Sequence, residues 1–120
     1  MRGKEKDLGS LAFVLPLLPG KTDADRAAME SCWKGDRKAE FEAARRRVGI
    51  TREAVFIQKT PGGDLVVVYV EGPDLDSSFK ELATSQEPMD RWFREHVREV
   101  HGIALEEGFD PPEQVLDFRS

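Results

Sequence analysis

Apolar residues occupy both alternating positions in three short β-rich runs. The first is LAFVLPLL at residues 11–18, and the other two flank TPGGD within TREAVFIQKTPGGDLVVVYVEG at residues 51–72. Runs of this kind are typical of strands that are covered on both faces. Pro16 has no amide hydrogen for a ladder, so we expect a bulge or a strand end there. The Pro-Gly-Gly sequence predicts that the second and third strands form a hairpin.

Helical signals lie between the first strand and the hairpin. Thr22, with Asp25 three residues later, predicts an N-cap and capping box for a helix at 23–48. Gly35 in its middle costs about 1 kcal/mol relative to Ala, so a kink or break there is expected. Gly49 is suited to end the helix as its C-terminal cap.

The second half of the chain predicts two more helices and a strand. Asp74 is placed to cap a short helix at 75–83, and a longer helix at 88–101 has Pro in its first turn and Gly after its end. QVLDF at 114–118 is short and apolar enough for a last strand.

The resulting order, β-α-β-β-α-β, predicts an α+β protein with a ferredoxin-like antiparallel sheet and helices on one face. We expect a charged, flexible arm at 1–9 and a single domain at 10–120. Helices can cover only one face of such a sheet, yet both faces are apolar. A second copy of the same sheet is the simplest cover, so we expect a homodimer through the sheet face.

Composition narrows the classes of partner and compartment. A net charge of −5 and a sequence pI near 5.1 argue against nucleic acid as the main partner. The run Arg45, Arg46 and Arg47 is interpreted as the cationic last turn of a helix. Cys32 is the only cysteine, which excludes an internal disulfide and favours a cytoplasmic protein. No segment approaches the roughly 20 apolar residues of a membrane helix.

Both histidines lie in WFREHVREVHGI at residues 92–103. At about 100° per residue, His96 falls inside the apolar face that contains Trp92, and His101 lies at its edge. The two rings are about 140° apart, a poor arrangement for a shared metal, so we expect no metal site. His96 is either a core histidine with a satisfied partner or a proton donor or acceptor in a pocket. His101 is either a cation at the helix end or a ligand contact.

Polar residues also interrupt the apolar stripe of the first helix and of the sheet. Arg37 and Glu40 share the stripe of Trp33, and they form either a solvent-facing ion pair or an oxyanion holder and a base. Gln58 and Tyr69 can each offer one hydrogen bond to a pocket with Phe56, Val67, Trp33 and Trp92 as its walls.

Three segments carry a resemblance to a known superfamily: LPLLPGK, VFIQKTPGGDLVVVYVEG and HGIAL. The chain resembles the small dimeric α/β-barrel proteins, which include the antibiotic-biosynthesis monooxygenases, haem-degrading monooxygenases and several isomerases. It most resembles a bacterial family of small uncharacterised proteins that shares LLPGK and EVHGI. The resemblance spans roughly residues 11–118 and implies two facing sheets that form a barrel with helices outside.

This resemblance implies a small cofactor-independent monooxygenase or isomerase that acts on an apolar or aromatic metabolite between helices and sheet. His96, Arg37 and Glu40 are then the candidate catalytic residues, and Trp33, Gln58, Tyr69, Trp92 and His101 the candidate substrate contacts. A non-catalytic ligand-binding or interaction dimer is the alternative. Haem binding is a third, although the chain has no Asn to match the haem-degrading branch. Whether the protein is an enzyme stays open at this point.

Overall fold

A computed structural model describes residues 9–120, and its elements make an α+β protein, as predicted. The predicted arm at 1–9 lies, apart from Gly9, outside the described residues. In chain order the elements are β1 (Ser10–Pro16), α1 (Thr22–Trp33), α2 (Lys38–Arg47), β2 (Arg52–Thr60), β3 (Gly63–Glu71), α3 (Leu75–Thr84), α4 (Pro88–His101) and a 3₁₀ turn (Leu105–Glu107).

The three strands form an antiparallel sheet in the order β1-β3-β2. β2 and β3 are the predicted hairpin, and β1 ends at Pro16, where the missing amide hydrogen led us to expect an end. Val67 at the centre of β3 pairs with Val14 on one side and with Phe56 on the other. Directly paired residues share a face, so the register separates the side chains of the sheet into two sets.

Helices cover one of these two faces. Val66, Val68 and Val70 alternate along β3 and are buried in a core with residues of the helices and loops, including Val48, Leu75, Leu82 and Val100. The opposite face, called here the outer face, presents Ala12, Val14, Phe56, Val67 and Tyr69. Phe56 on this face is 59% exposed. Both faces are therefore apolar, as the sequence indicates, and residues 9–120 cover only one of them.

The single helix predicted at 23–48 is wrong, because the chain breaks at Gly35 into α1 and α2. A Cβ at Gly35 would lie 2.9 Å from the Cα of Ser31, and the amide of Arg37 donates to the carbonyl of Ser31 at 3.0 Å. The break expected at this glycine is confirmed. Gly49 follows α2 with φ of 89°, the left-handed conformation that favours glycine after a helix.

The predicted capping role of Thr22 is also wrong. Lys21 holds the N-cap position of α1 and has no side-chain capping bond, whereas the hydroxyl of Thr22 donates to Asp64 Oδ2 at 2.7 Å. Thr22 therefore ties the start of α1 to the start of β3.

The two later helices agree with prediction. Asp74 caps α3 by accepting from the amide of Ser77 at 3.1 Å, and Pro88 opens α4. Gly102 ends α4 with φ of 70°. Among residues 9–120, no helix has both the length and the apolar character to cross a membrane.

The last strand predicted at 114–118 is wrong. Residues 108–120 carry no strand, and Val115 in that segment is 84% exposed. Phe109 packs on Phe13 and Phe79, with ring centroids 5.2 and 5.9 Å away. The chain then continues through Pro-Pro at 111–112, which removes two successive amide donors that a ladder would use.

Candidate functional site

A cavity of about 60 Å³ lies between the helices and the covered face of the sheet. Its wall is mainly apolar and includes Phe13, Met29, Val55, Val68 and Phe93. Five polar side chains also reach it, namely Asp25, Arg45, Glu53, His96 and His101. At 10–15 Å³ of cavity volume per water molecule, it has room for about four to six waters or a similarly small ligand.

Asp25 and His96 form a buried pair at this cavity. Nε2 of His96 lies 2.8 Å from Oδ1 of Asp25, and their side chains are 9% and 3% exposed. A carboxylate can only accept, so Nε2 carries the hydrogen and donates it. Asp25 lies in the first turn of α1, where the helix dipole also favours a negative charge. The structure thus places His96 in a cavity wall with Asp25 as its partner, an arrangement compatible with both a core histidine and a proton donor or acceptor.

The ring of His96 is held by a stack. It lies parallel to the Trp92 ring, with centroids 5.5 Å apart and 10° between planes. The Arg37 guanidinium lies 4.3 Å from the centroid of Trp92 and donates to Ser31 Oγ at 2.9 Å. Arg37 is therefore placed to orient Trp92. It does not line the cavity, because the break before α2 rotates it off the helix face that it would share with Trp33 in a continuous helix.

His101 is buried rather than presented at the helix end. Its Nδ1 donates to the carbonyl of Pro16 at 2.7 Å, and the residue is 6% exposed. Burial lowers the pKa of His101 below its usual value of 6.5, against the opposing effects of the Pro16 carbonyl and of Asp25. The neutral ring is thus favoured, in contrast to the cation expected at a helix end.

Arg45 is the main residue of this region that sequence reasoning missed. It is 5% exposed, and its Nε donates to Glu53 Oε1 at 2.6 Å. Its guanidinium lies 4.4 Å from the ring centroid of Phe41 and 4.3 Å from that of Phe93. Two signals in the sequence point to it: Phe41 and Arg45 stand four apart on one helix face, and Glu53 lies opposite in an apolar strand.

Two residues that line the cavity each have one buried polar atom without a hydrogen-bond partner in the described part of the chain. These atoms are Oδ2 of Asp25 and Nη1 of Arg45. Buried polar groups are nearly always satisfied in folded proteins, so such atoms call for water or a ligand. Oδ1 of Asp90 is also unpartnered, but this residue pairs with Arg47 through its other oxygen and does not line the cavity.

The remaining predicted site residues lie elsewhere. Trp33 is 68% exposed beneath Lys34, Glu40 is exposed, and Gln58 is exposed and donates to the carbonyl of its neighbour Lys59.

Tyr69 lies on the outer face and donates to Glu71 Oε2, which raises the pKa of its phenol. The predicted pocket walls at Phe56, Val67 and Trp33 are wrong, because the first two point away from the helices and the third is exposed at the end of α1.

The structure therefore brings His96, Trp92 and His101 together, adds Arg37 through Trp92, and leaves the others apart. Within residues 9–120, no group of three or more His, Cys, Asp or Glu side chains is arranged to hold a metal ion. In comparisons with protein-family models, curated proteins and solved structures, none matches this chain.

Proposed function

We propose that this protein is a small acid–base enzyme that binds a small, mainly apolar metabolite in the helix–sheet cavity and moves a proton on it. An isomerase fits this description, and so does a cofactor-independent monooxygenase that begins by deprotonating its substrate. The observation that carries the proposal is the 2.8 Å contact between Asp25 and His96 in the wall of an apolar cavity.

The mechanism follows from the hydrogen bonding of His96. Asp25 accepts the Nε2 hydrogen, which fixes the tautomer and leaves Nδ1 of the neutral ring as the base. When Nδ1 takes a proton, the Asp25 carboxylate stabilises the imidazolium that forms, as the carboxylate does in other His–carboxylate pairs. Trp92, with Arg37 on it, holds the plane of the ring. His101, being neutral, adds no competing positive charge.

Hydrogen–deuterium exchange tests this proposal without knowledge of the natural substrate. Small ketones and hydroxyketones would be incubated with the protein in D₂O, and exchange of the hydrogens next to the carbonyl followed by NMR. His96→Gln is the matched variant, because its amide still donates to Asp25 but has no basic nitrogen. General-base catalysis contributes about 10²–10⁴-fold, so the variant should lose at least a hundredfold in exchange rate. Equal rates in the two proteins would contradict the proposal.

The alternatives differ in what the cavity requires of them. A non-catalytic binding protein would use the same cavity and would show ligand binding without deuterium exchange. Arg37 and Glu40 lie outside the cavity, which favours this alternative over an enzyme that uses them as catalytic residues. Haem fits poorly, because the cavity of about 60 Å³ is far below the roughly 300–1,000 Å³ of usual cofactor pockets.

We also infer that two copies pair through their outer faces into a barrel of the dimeric α/β type. Three features support this: the order β1-β3-β2, which matches three strands of a ferredoxin-like sheet, the helices on one face, and the apolar outer face. Phe56 and Val14 are the large apolar side chains that such a contact would cover. Cys32, a buried free thiol, supports a cytoplasmic location.

A further inference from the structure

We infer that the helix–sheet cavity binds an uncharged molecule of the α-hydroxycarbonyl class, whose hydroxyl donates to Asp25 Oδ2 and whose carbonyl oxygen accepts from Arg45 Nη1. This inference rests on the cavity site proposed above and concerns binding only, so it requires no catalytic step. It names the class of ligand from the hydrogen bonds that the cavity leaves unmade.

The first requirement comes from Asp25, which is 2% exposed. Its Oδ1 is occupied by His96, and its Oδ2 has no partner within residues 9–120. Because a carboxylate oxygen only accepts, the ligand has to bring a donor, and a hydroxyl is the smallest organic donor that carries no charge. Hydrogen bonds to a charged group are roughly twice as strong as those between neutral groups.

The second requirement comes from Arg45. Its Nε donates to Glu53 Oε1 at 2.6 Å and its Nη2 lies 3.5 Å from Oε2, so Glu53 uses one edge of the guanidinium. Nη1 on the other edge is buried and unpartnered among the described residues. A guanidinium only donates, so the ligand has to bring an acceptor, and a carbonyl oxygen provides one.

The two requirements together exclude a charged ligand. A carboxylate placed against Arg45 would share a cavity of about 60 Å³ with the carboxylates of Asp25 and Glu53. An ammonium placed against Asp25 would face the cation of Arg45 in the same space. Burial of an ion without a balancing partner is strongly unfavourable, so a neutral molecule with a donor and an acceptor fits best.

The size and the walls of the cavity set the rest of the ligand. Room for about four to six waters corresponds to roughly four to six non-hydrogen atoms. The apolar lining from Phe13, Met29 and Val68 suits a methyl or methylene group. A larger aromatic ligand would require Met29 or Leu105 to move. Hydroxyacetone satisfies all of these conditions and serves as the probe.

The test is a titration of the full chain with hydroxyacetone, followed by amide chemical shifts in NMR spectra. Acetone lacks the hydroxyl, 2-propanol lacks the carbonyl, and lactate adds a charge. We expect saturable shifts at cavity residues with hydroxyacetone, and at least about tenfold weaker binding of the other three compounds, since each lacks one hydrogen bond to a charged group or brings a charge.

Asp25→Asn and Arg45→Lys test the two contacts, and each should weaken hydroxyacetone binding by about tenfold or more. The matched control is Asp90→Asn, which alters another buried acid with one unpartnered oxygen, away from the cavity lining. It should bind hydroxyacetone like the parent protein. If a cavity variant does not fold, the comparison of the four compounds on the parent protein still decides the question.

Absence of saturable shifts in the parent protein, or equal binding of acetone and hydroxyacetone, would overturn the inference and indicate that water fills the cavity. Its failure is distinct from failure of the proposed function. Binding that depends on Asp25 and Arg45, without deuterium exchange, would retain the ligand class and refute the enzyme. Exchange that depends on His96, with no preference for hydroxyacetone, would do the reverse.

Discussion

Asp25, Arg45 and Asp90 are charged side chains that the fold encloses almost completely, and each has one polar atom that no described residue satisfies. Sequence reasoning placed His96 on an inner face correctly, because helical periodicity in α4 is uninterrupted from Pro88 to His101. It did not find Asp25 as the partner, since that contact joins two helices 71 residues apart in the chain. Periodicity reports which face a residue is on, and it carries no information about which element packs against that face.

Replacing His96 with Leu should destabilise the protein by about 3–5 kcal/mol, because it leaves the buried Asp25 carboxylate without its partner. The double variant Asp25→Leu/His96→Leu should regain most of that loss, since both members of the pair are removed. Urea unfolding of the two variants and the parent measures the difference. A double variant as unstable as the single one would show that the pair does not account for the effect.

The buried ring of His101 predicts a pH dependence. Above about pH 6.5 the ring is neutral in both states, whereas below it the unfolded chain binds a proton that the folded protein, with its lowered pKa, resists. This contribution to the free energy of unfolding is therefore complete above pH 6.5 and is lost as the pH falls through the folded pKa.

His101→Asn keeps a donor for the Pro16 carbonyl and cannot be protonated in this range. Urea midpoints between about pH 7.5 and pH 5 should fall less steeply for this variant than for the parent protein, because its unfolded chain has one imidazole fewer to bind a proton. Identical slopes would refute the role assigned to His101.

At the scale of elements, the sequence predicts the hairpin, α3 and α4 well, because their signals are local: Pro-Gly-Gly at the turn, Asp74 as a cap, and Gly102 as a stop. It fails where tertiary contacts compete with local signals. Thr22 donates to Asp64 instead of capping α1. Residues 114–118 form no strand: Phe109 packs on Phe13, but the segment after it is exposed. The break at Gly35 is intermediate: the glycine indicates that the helix can break and rotate Arg37 outward, but not that Arg37 then packs on Trp92.

Gly72 shows how closely two connections approach. A Cβ there would lie 2.5 Å from the carbonyl oxygen of Gly49, so the loop before β2 and the loop after β3 would have to separate. Gly72→Ala should cost about 1–3 kcal/mol, the usual range for overpacking. Gly62→Ala in the hairpin turn is the matched control, since its Cβ would meet nothing closer than 3.9 Å. Thermal unfolding that gave equal losses for both would contradict this reading of the contact.

At the scale of the whole molecule, the proposed pairing of outer faces can be tested by charge. Phe56→Lys should convert a dimer into a monomer, because a cation on each of two facing sheets would be desolvated without a partner. Trp33→Lys changes a side chain of greater exposure at the end of α1, away from the sheet, and should leave the dimer intact. Native mass spectrometry reads both outcomes, and a parent protein that is monomeric at every concentration would refute the pairing.

The strand order has a consequence for how the chain folds. β2 and β3 are joined by a tight turn and should pair within roughly 1–10 μs. α1 and α2 separate β1 from the hairpin in sequence, so β1 should pair with β3 more slowly. Before β1 pairs, one edge and both faces of the valine-rich β3 are exposed. Exposed apolar strands of this kind are prone to aggregation. Refolding yield should therefore fall as protein concentration rises. The charged pair of Lys59 and Asp64 near the turn opposes edge-to-edge association of strands.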